Sequence, residues 1–176
     1  MPVRAFVDDS GSGGDSRYFV LMCGAGLDAR IVLDASPRLK AKAGKLAYWT
    51  AGLSQLGHMV EQVEVGVNGR RHRCGFALAS RVRNYGGDLE IASGAALESD
   101  SFEIVLFEGS HPLRYIRYLL GVGLRTVQRM PGVHVYRAQA AHFSGGAHLQ
   151  IDGEYAGREP ARIEIVPGAL TLLFPY

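Results

Sequence analysis

Apolar and polar residues alternate along several short stretches of this chain, and such alternation is typical of β-strands with one buried face. The clearest stretch is residues 63–67, where three valines alternate with polar or small residues and Asn68-Gly69 follows. Because Asn-Gly between apolar runs favours a two-residue hairpin turn, we predict a return strand over residues 70–82.

Other apolar or aromatic runs are too short for ordinary helices and predict further strands. These strands are predicted at residues 3–7, 18–23, 103–107, 133–142, 147–151, 162–166 and 170–174. The first two would form a hairpin, because the residues between them are mostly Asp, Ser and Gly, which favour loops.

Helical spacing of apolar residues marks two longer segments, residues 44–57 and residues 112–124. A shorter helix is predicted at residues 29–36, with Asp28 as its cap, and Ser110 could cap the helix that begins near Pro112. Strands outnumber helices by about three to one and no βαβ alternation is visible. The pattern therefore predicts a mainly β (α+β) protein, an antiparallel two-layer β-sandwich with two or three peripheral helices.

The helix predicted at residues 112–124 is apolar on two faces, which Arg114 and Arg117 interrupt. One face carries Leu113, Ile116, Leu120 and Leu124, and the other carries Tyr115, Tyr118, Leu119 and Val122. Burial on both sides would explain this pattern. The alternatives are contact with another domain, with a second copy of the chain in a homodimer, or with a lipid surface.

Composition narrows the class of protein. Of the 176 residues, 47% are hydrophobic, which is enough for a buried core, and the net charge of +2 does not favour nucleic acid as a partner. No signal peptide is visible, and no apolar run approaches the roughly 20 residues of a membrane span. Cys23 and Cys74 lie in apolar runs, so we expect reduced, buried thiols in a soluble cytoplasmic protein whose membrane contact would be peripheral.

The most informative polar motif is Asp152-Gly153-Glu154, which follows an apolar strand. On an extended chain, carboxylates two residues apart project to the same side, and the glycine between them lets a substrate approach closely. A carboxylate that accepts a hydroxyl proton and another that binds Mg²⁺ would suit phosphoryl transfer. The alternative is an ordinary Asp-Gly hairpin turn with Glu154 as a solvated neighbour.

Three ordered segments carry a resemblance to a known family. In chain order these segments are RYFVLMCGAGLDARIV, LKAKAGKLAYWTAGLSQL and the closing stretch LQIDGEYAGREPARIEIVPGALTLLFP. Together they resemble the carboxy-terminal half of bacterial diacylglycerol kinases and sphingosine-kinase-like lipid kinases. The Gly-Gly-Asp-Gly-Thr string that binds nucleotide in that family has no counterpart in these 176 residues.

The resemblance implies roles for several residues. Asp152 would be the general base for a lipid hydroxyl, and Glu154 would be its catalytic partner, acting through a metal ion. ATP and Mg²⁺ would be needed only by the complete two-domain enzyme, whose nucleotide-binding domain would be the main partner. Residues 1–176 would then form the carboxy-terminal, substrate-binding β-sandwich domain of a lipid kinase, inactive alone. A lipid-binding or regulatory module without catalysis is the alternative.

Two further regions depart from the family pattern. Asn84, Gly86 and Gly87 loosely resemble a loop at the mouth of the substrate cleft, and a plain glycine turn is the alternative. Where the family often has Leu-Asp-Asp-Gly, sometimes with a structural Mg²⁺, residues 97–102 read LESDSF. Because one carboxylate is displaced and another replaced, we interpret Glu98 and Asp100 as surface acids rather than metal ligands.

Three other groups of residues could have a ligand, but each has a simpler explanation. Gly24-Ala25-Gly26 is half of a dinucleotide fingerprint, and packing of a strand end against a helix explains it. The histidines lack metal-ligand spacing, although His134, His142 and His148 could converge. Residues 70–73, of sequence RRHR, fit a solvated hairpin end, with attraction to anionic lipid as the alternative.

Overall fold

A computed structural model describes residues 3–7, 15–34, 60–86 and 88–169. Within these residues the helices are α1 (Leu27–Asp34) and α2 (Pro112–Gly123), with a short 3₁₀ helix at Val127–Arg129. The strands are β1 (Val3–Val7), β2 (Asp15–Phe19), β3 (Met22–Gly26), β4 (Val63–Val67), β5 (Arg70–Cys74), β6 (Phe76–Ser80), β7 (Asn84–Tyr85), β8 (Leu89–Glu90), β9 (Phe102–Phe107), β10 (Val133–Ala138), β11 (Ala140–Ser144), β12 (His148–Ile151), β13 (Glu154–Arg158) and β14 (Ala161–Ile165).

Two six-stranded antiparallel sheets form the sandwich, which confirms the predicted fold class. Sheet 1 has the order β2-β1-β14-β11-β4-β5, and sheet 2 has the order β10-β9-β6-β3-β12-β13. Strands β7 and β8 form a separate two-stranded ribbon. The core between the sheets is built from the inward residues of both, such as Val65, Phe143, Ile104 and Leu149.

The helices cover the other face of sheet 2. Helix α1 packs on β12, β3 and β13. A second apolar cluster forms where Tyr115, Tyr118 and Val122 of α2 meet Val105 and Phe107 of β9. Sheet 2 is therefore covered on both faces, and all six residues of β9 are buried.

Residues 70–82 were predicted as one strand, and this prediction is wrong because the chain changes sheets at Gly75. β5 belongs to sheet 1 and β6 to sheet 2. At the crossing the Gly75 N–H donates to the Phe107 carbonyl at 3.0 Å, and the Gly75 carbonyl accepts from Leu27 N–H at 3.0 Å. A side chain here would meet backbone, since a Cβ on Gly75 would lie 2.6 Å from the Gly109 carbonyl oxygen.

Two other predicted strands are divided in the same way. Residues 18–23 split between β2 in sheet 1 and β3 in sheet 2, and residues 133–142 split at Gln139 between β10 in sheet 2 and β11 in sheet 1. In each case the apolar pattern continues through the crossing, because both sheets contribute residues to the same core.

The remaining predictions agree closely with the structure, with a few differences. Asn68-Gly69 forms the predicted turn, with positive φ at both residues. Helix α1 begins at Leu27, two residues before its predicted start, so Asp28 lies in its first turn and is not the cap. The cap of α2 is His111, not Ser110, and its imidazole accepts from Leu113 N–H. The predicted helix at 44–57 and strand at 170–174 lie outside the described residues.

Candidate functional site

Asp152 and Gly153 are the two residues of a tight hairpin turn between β12 and β13. Ile151 pairs with Glu154 across the turn. Asp152 has φ 49° and Gly153 has φ 85°, as a two-residue turn of the type I′ kind requires. The extended geometry expected for residues 152–154 is therefore wrong, since the chain reverses direction between the two carboxylates. The hairpin alternative describes the backbone correctly.

The Asp152 side chain has a second role that an ordinary turn residue lacks. Its Oδ2 accepts from Val20 N–H, and its Oδ1 accepts from Leu21 and Met22 N–H, each at 2.9 Å. These three amides belong to the segment where the chain passes from sheet 1 to sheet 2. Three backbone donors fix the carboxylate in position while the residue stays exposed to solvent.

Glu154 begins β13 and is exposed. Among the described residues, no side-chain hydrogen bond or ion pair involves its carboxylate, and its backbone pairs with Ile151. Mg²⁺ commonly takes one or two protein carboxylates together with substrate phosphates. One exposed glutamate fits that donor set, although the described residues contain no cluster of three or more acidic, His or Cys side chains that could hold a metal ion alone.

A buried polar chain lies next to this turn. The Gly153 N–H donates to Gln150 Oε1 at 2.8 Å, and Gln150 Nε2 donates to Asp28 Oδ2 at 2.6 Å. The hydroxyl of Tyr85 donates to the other carboxyl oxygen of Asp28. Asp28 and Gln150 are almost fully buried, so this network connects α1, β12 and the β7–β8 ribbon through the protein interior.

Gly24 makes room for the network. A Cβ at Gly24 on β3 would lie 2.8 Å from Gln150 Nε2 and would collide with the Asp28 carboxyl. This close approach explains the Gly24-Ala25-Gly26 pattern as packing between a strand and α1, in agreement with the simpler interpretation of the sequence.

Burial of the Asp28 carboxyl raises its pKa to about 6, while the hydrogen bonds from Tyr85 and Gln150 act in the opposite direction. A carboxylic acid this deep in the protein is unusual, and perturbed acids cluster at functional sites. Sequence reasoning treated Asp28 only as a helix cap. The one signal of a further role is its place directly after Gly24-Ala25-Gly26-Leu27, within the segment RYFVLMCGAGLDARIV that resembles the lipid-kinase family.

The predicted cleft loop is connected to the same region. Asn84 and Gly86 are exposed and flank Tyr85, whose hydroxyl bonds to Asp28. Gly86 has φ 57°, so the turn it makes favours glycine. Gly87 lies outside the described residues. Tyr85 thus links the loop of Asn84 and Gly86 to the Asp152-Gly153 turn through Asp28 and Gln150.

This arrangement can orient a carboxylate toward a hydroxyl group from solvent. Asp152 is held by the backbone, exposed, and supported from behind by a buried polar network. A fixed carboxylate within hydrogen-bond reach of a hydroxyl can align it and take its proton. Hydrogen bonds through Asp28 and Gln150 connect Tyr85, which lies between Asn84 and Gly86, to the Asp152-Gly153 turn that Glu154 follows.

Loop 97–101 is organised around an arginine. The buried Arg81 donates through Nη2 to the Ser99 carbonyl at 3.0 Å and to the Leu97 carbonyl. The Arg81 guanidinium therefore binds two carbonyl groups of this loop. Glu98 and Asp100 remain outside any metal-binding cluster of the described residues.

The histidines that could have converged lie on three strands that are not paired with one another. His134 on β10, at the edge of sheet 2, bonds Glu108 at 2.8 Å. His142 lies on β11 in sheet 1, and His148 on β12 is buried and bonds Tyr155 at 3.0 Å. Strands β10, β11 and β12 are not paired with one another in either sheet, and among the described residues these histidines form no metal-binding group.

The described helices are too short and too polar to cross a membrane. Residues 70–73 form most of β5, an edge strand of sheet 1, where the three arginines are exposed. Positive charge on an edge strand is one way of preventing association with other sheets. This role supports the interpretation of residues 70–73 as a solvated hairpin end rather than a lipid-binding segment.

Comparison with known proteins finds similar sequences among bacterial diacylglycerol kinases. A diacylglycerol kinase from Bacillus subtilis (strain 168) is 24% identical over 153 residues, covering 83% of this chain and 50% of the relative. A diacylglycerol kinase from Mycobacterium tuberculosis (strain H37Rv) is 25% identical over 167 residues, covering 92% and 54%. The chain spans about half the length of the curated relatives it matches.

Solved structures show the same fold. A protein from Bacillus anthracis strain Sterne superposes with a TM-score of 0.67 at 16% identity, covering 93% of this chain and 53% of that one. A diacylglycerol kinase structure from the same strain gives 0.58 at 15% identity, covering 93% and 53%. The sequence profile described as "YegS C-terminal NAD kinase beta sandwich-like domain" matches residues 22–174. Because that match covers most of the chain, the chain belongs to the family of YegS-type carboxy-terminal β-sandwich domains, as its resemblance to the carboxy-terminal half of diacylglycerol kinases predicted.

Proposed function

We propose that this chain is the substrate-binding half of an ATP-dependent lipid kinase that phosphorylates a lipid hydroxyl such as that of diacylglycerol. The observation that carries the proposal is the match to about half the length of curated diacylglycerol kinases. Residues 1–176 would supply one wall of the active site, and a nucleotide-binding domain outside them would supply the other. Such an enzyme would act in the cytoplasm and contact the membrane peripherally.

In this proposal Asp152 is the general base. Its carboxylate, held by the amides of residues 20–22, accepts a hydrogen bond from the lipid hydroxyl and takes its proton as the oxygen bonds to phosphorus. When bound at the facing domain, ATP with Mg²⁺ supplies the phosphoryl group and offsets its negative charge. Glu154, exposed next to the turn, would be the residue of this chain that helps to hold that ion.

The loop of Asn84, Gly86 and Gly87 is proposed to bind the polar head of the lipid. Asn84 can both donate and accept hydrogen bonds. Asp28 is buried behind this loop and positions it through Tyr85 rather than touching substrate.

The proposal is tested by joining the chain to the nucleotide-binding half of the Bacillus subtilis relative. We expect the joined protein to transfer labelled phosphate from ATP to dioctanoylglycerol, at rates on the order of 1 s⁻¹. The isolated chain should transfer none, because it lacks a phosphate-binding loop. Transfer by the isolated chain, or a soluble joined protein that binds ATP and dioctanoylglycerol without transfer, would contradict the proposal.

A lipid-binding or regulatory module without catalysis is the second candidate. The observation that favours it is that both oxygens of Asp152 already accept backbone hydrogen bonds, as they would in a purely structural anchor. This candidate expects dioctanoylglycerol to bind the isolated chain and the joined protein to stay inactive.

A further inference from the structure

The outer face of α2 is apolar where a helix on a protein surface is usually polar. Leu113 and Leu120 are each 65% exposed, and Leu124 at the cap is 74% exposed. Their spacing of seven and four residues places them in one line along the helix. Burial on both sides, one explanation of the sequence pattern, is therefore wrong for this helix.

The leucines are not required to hold α2 on the sheet. Its inner face does so through Tyr115, whose hydroxyl donates to the Gly109 carbonyl at 2.8 Å, and through Tyr118, which is 3% exposed. Tyr118 also packs edge-on against Phe107, with ring centroids 5.3 Å apart. A helix already anchored in this way gains nothing in the isolated domain from three exposed leucines, which indicates a contact outside the domain.

Charged residues along α2 and in the segment after it are of one sign. Residues 109–151 contain no Asp or Glu, and Arg114, Arg117, Arg125 and Arg129 are all exposed. The acid that precedes this segment, Glu108, is bonded to His134. A line of leucines flanked by arginines is complementary to a surface that is apolar within and negatively charged outside.

A second copy of the chain does not fit this face well. In a two-fold interface the same patch meets itself. The arginines of one α2 would then lie against those of the other, with no acid in the segment to pair with them.

We propose that the outer face of α2 docks on the surface of an anionic phospholipid bilayer. Leu113, Leu120 and Leu124 enter the boundary between headgroups and acyl chains, and Arg117 and Arg125 bind lipid phosphates. The helix lies in the plane of the membrane over a length of roughly 18 Å. Its residues are not among those assigned to the Asp152 turn or its polar network, and its binding does not depend on whether the chain takes part in phosphoryl transfer.

Sedimentation with vesicles tests the proposal on the full chain. We expect binding to mixed phosphatidylglycerol–phosphatidylcholine vesicles, and weak binding to phosphatidylcholine alone. Leu120→Gln should lower the partition coefficient roughly tenfold, and combining Leu113→Gln, Leu120→Gln and Leu124→Gln should abolish binding. The control is Leu33→Gln on α1, where the leucine is 42% exposed, and this variant should bind like the wild type.

The arginines have a separate expected effect. Replacing Arg117 and Arg125 by Gln should weaken binding to anionic vesicles by roughly a factor of five for each charge. Binding to neutral vesicles should not change. If this double variant bound anionic vesicles like the wild type, the assignment of the arginines to lipid phosphates would be wrong.

A fluorescent probe reports which surface makes the contact. Leu120→Cys labelled with an environment-sensitive dye should shift to the blue on anionic vesicles, because both native cysteines are buried. Leu33→Cys should not shift. The proposal is overturned if the wild type ignores anionic vesicles, if the triple variant binds normally, or if the leucine substitutions only dissociate a dimer in solution.

Discussion

The Asp152 end of the sandwich buries polar side chains, whereas the outer face of α2 exposes apolar ones. At the Asp152 end, polar side chains are buried: Asp28 is 2% exposed and Gln150 is 1% exposed, and hydrogen bonds join them to each other and to the turn. On α2, large apolar side chains are exposed and touch little. Buried polar groups that are hydrogen-bonded to each other indicate a site already formed in the free protein. Exposed apolar groups indicate a surface that is buried only when it binds a partner.

The largest expected effect separates the two faces of α2. Tyr118→Ala should destabilise the fold by about 3–5 kcal/mol, since it removes a buried aromatic ring and its hydrogen bonds. Leu120→Ala on the outer face is the matched control and should change stability by less than about 0.5 kcal/mol. Urea unfolding of both variants measures the difference. Equal losses would mean that the outer leucines belong to the core and do not form a docking surface.

The next effect concerns the pH dependence of stability at the Asp152 end. The pKa of Asp28 is about 6 in the folded protein and 3.8 as the reference value, so between these the folded state keeps a proton that the unfolded state has lost. The contribution of Asp28 to the free energy of unfolding should therefore be fully present below the reference pKa and fall by about 3 kcal/mol as pH rises to about 6.

Asp28→Asn should remove this decrease of the free energy of unfolding with pH, as measured by urea unfolding from pH 4 to pH 6. Glu159 is the internal control, because burial raises its pKa to about 8 and its contribution extends to higher pH in both proteins. An unchanged slope below pH 6 in Asp28→Asn would show that Asp28 is already ionised in the folded state.

The smallest expected effect is on the stability of Asp152→Asn. Asparagine keeps an oxygen that can accept from Leu21 and Met22 N–H and loses the acceptor for Val20 N–H. The loss should be about 1 kcal/mol, the usual net value of one hydrogen bond. Calorimetric or urea unfolding measures it, and a loss above about 3 kcal/mol would identify the carboxylate as mainly structural.

Much of the fold could be predicted from alternation and turn residues, and the sheet crossings could not. At Gly75 the apolar pattern of residues 70–82 continues, because β5 and β6 both face the same core. What breaks the strand is a backbone hydrogen bond to Phe107, more than 30 residues away in the chain. No local pattern reports a contact of that kind.

The candidate site, too, could be predicted only in part from the sequence. Asp152 and Glu154 could be selected because their motif is contiguous and resembles a family pattern. Asp28 could not be assigned its role, because its partners Tyr85 and Gln150 are 57 and 122 residues away in sequence. The apolar character of α2 was visible in the sequence, but its orientation depends on tyrosine hydroxyls that reach carbonyls of other segments.

The measurement that tests the central claim most directly is the turnover of Asp152→Asn in the chain joined to a nucleotide-binding half. Because asparagine cannot accept a proton at neutral pH, we expect a loss of roughly 100-fold to 10,000-fold in turnover, with ATP affinity and folding retained. Asn84→Ala in the exposed loop is the matched control and should raise the KM for dioctanoylglycerol more than it lowers turnover. If Asp152→Asn kept more than about a tenth of wild-type turnover, well above the range for a lost general base, the catalytic role of Asp152 would be contradicted.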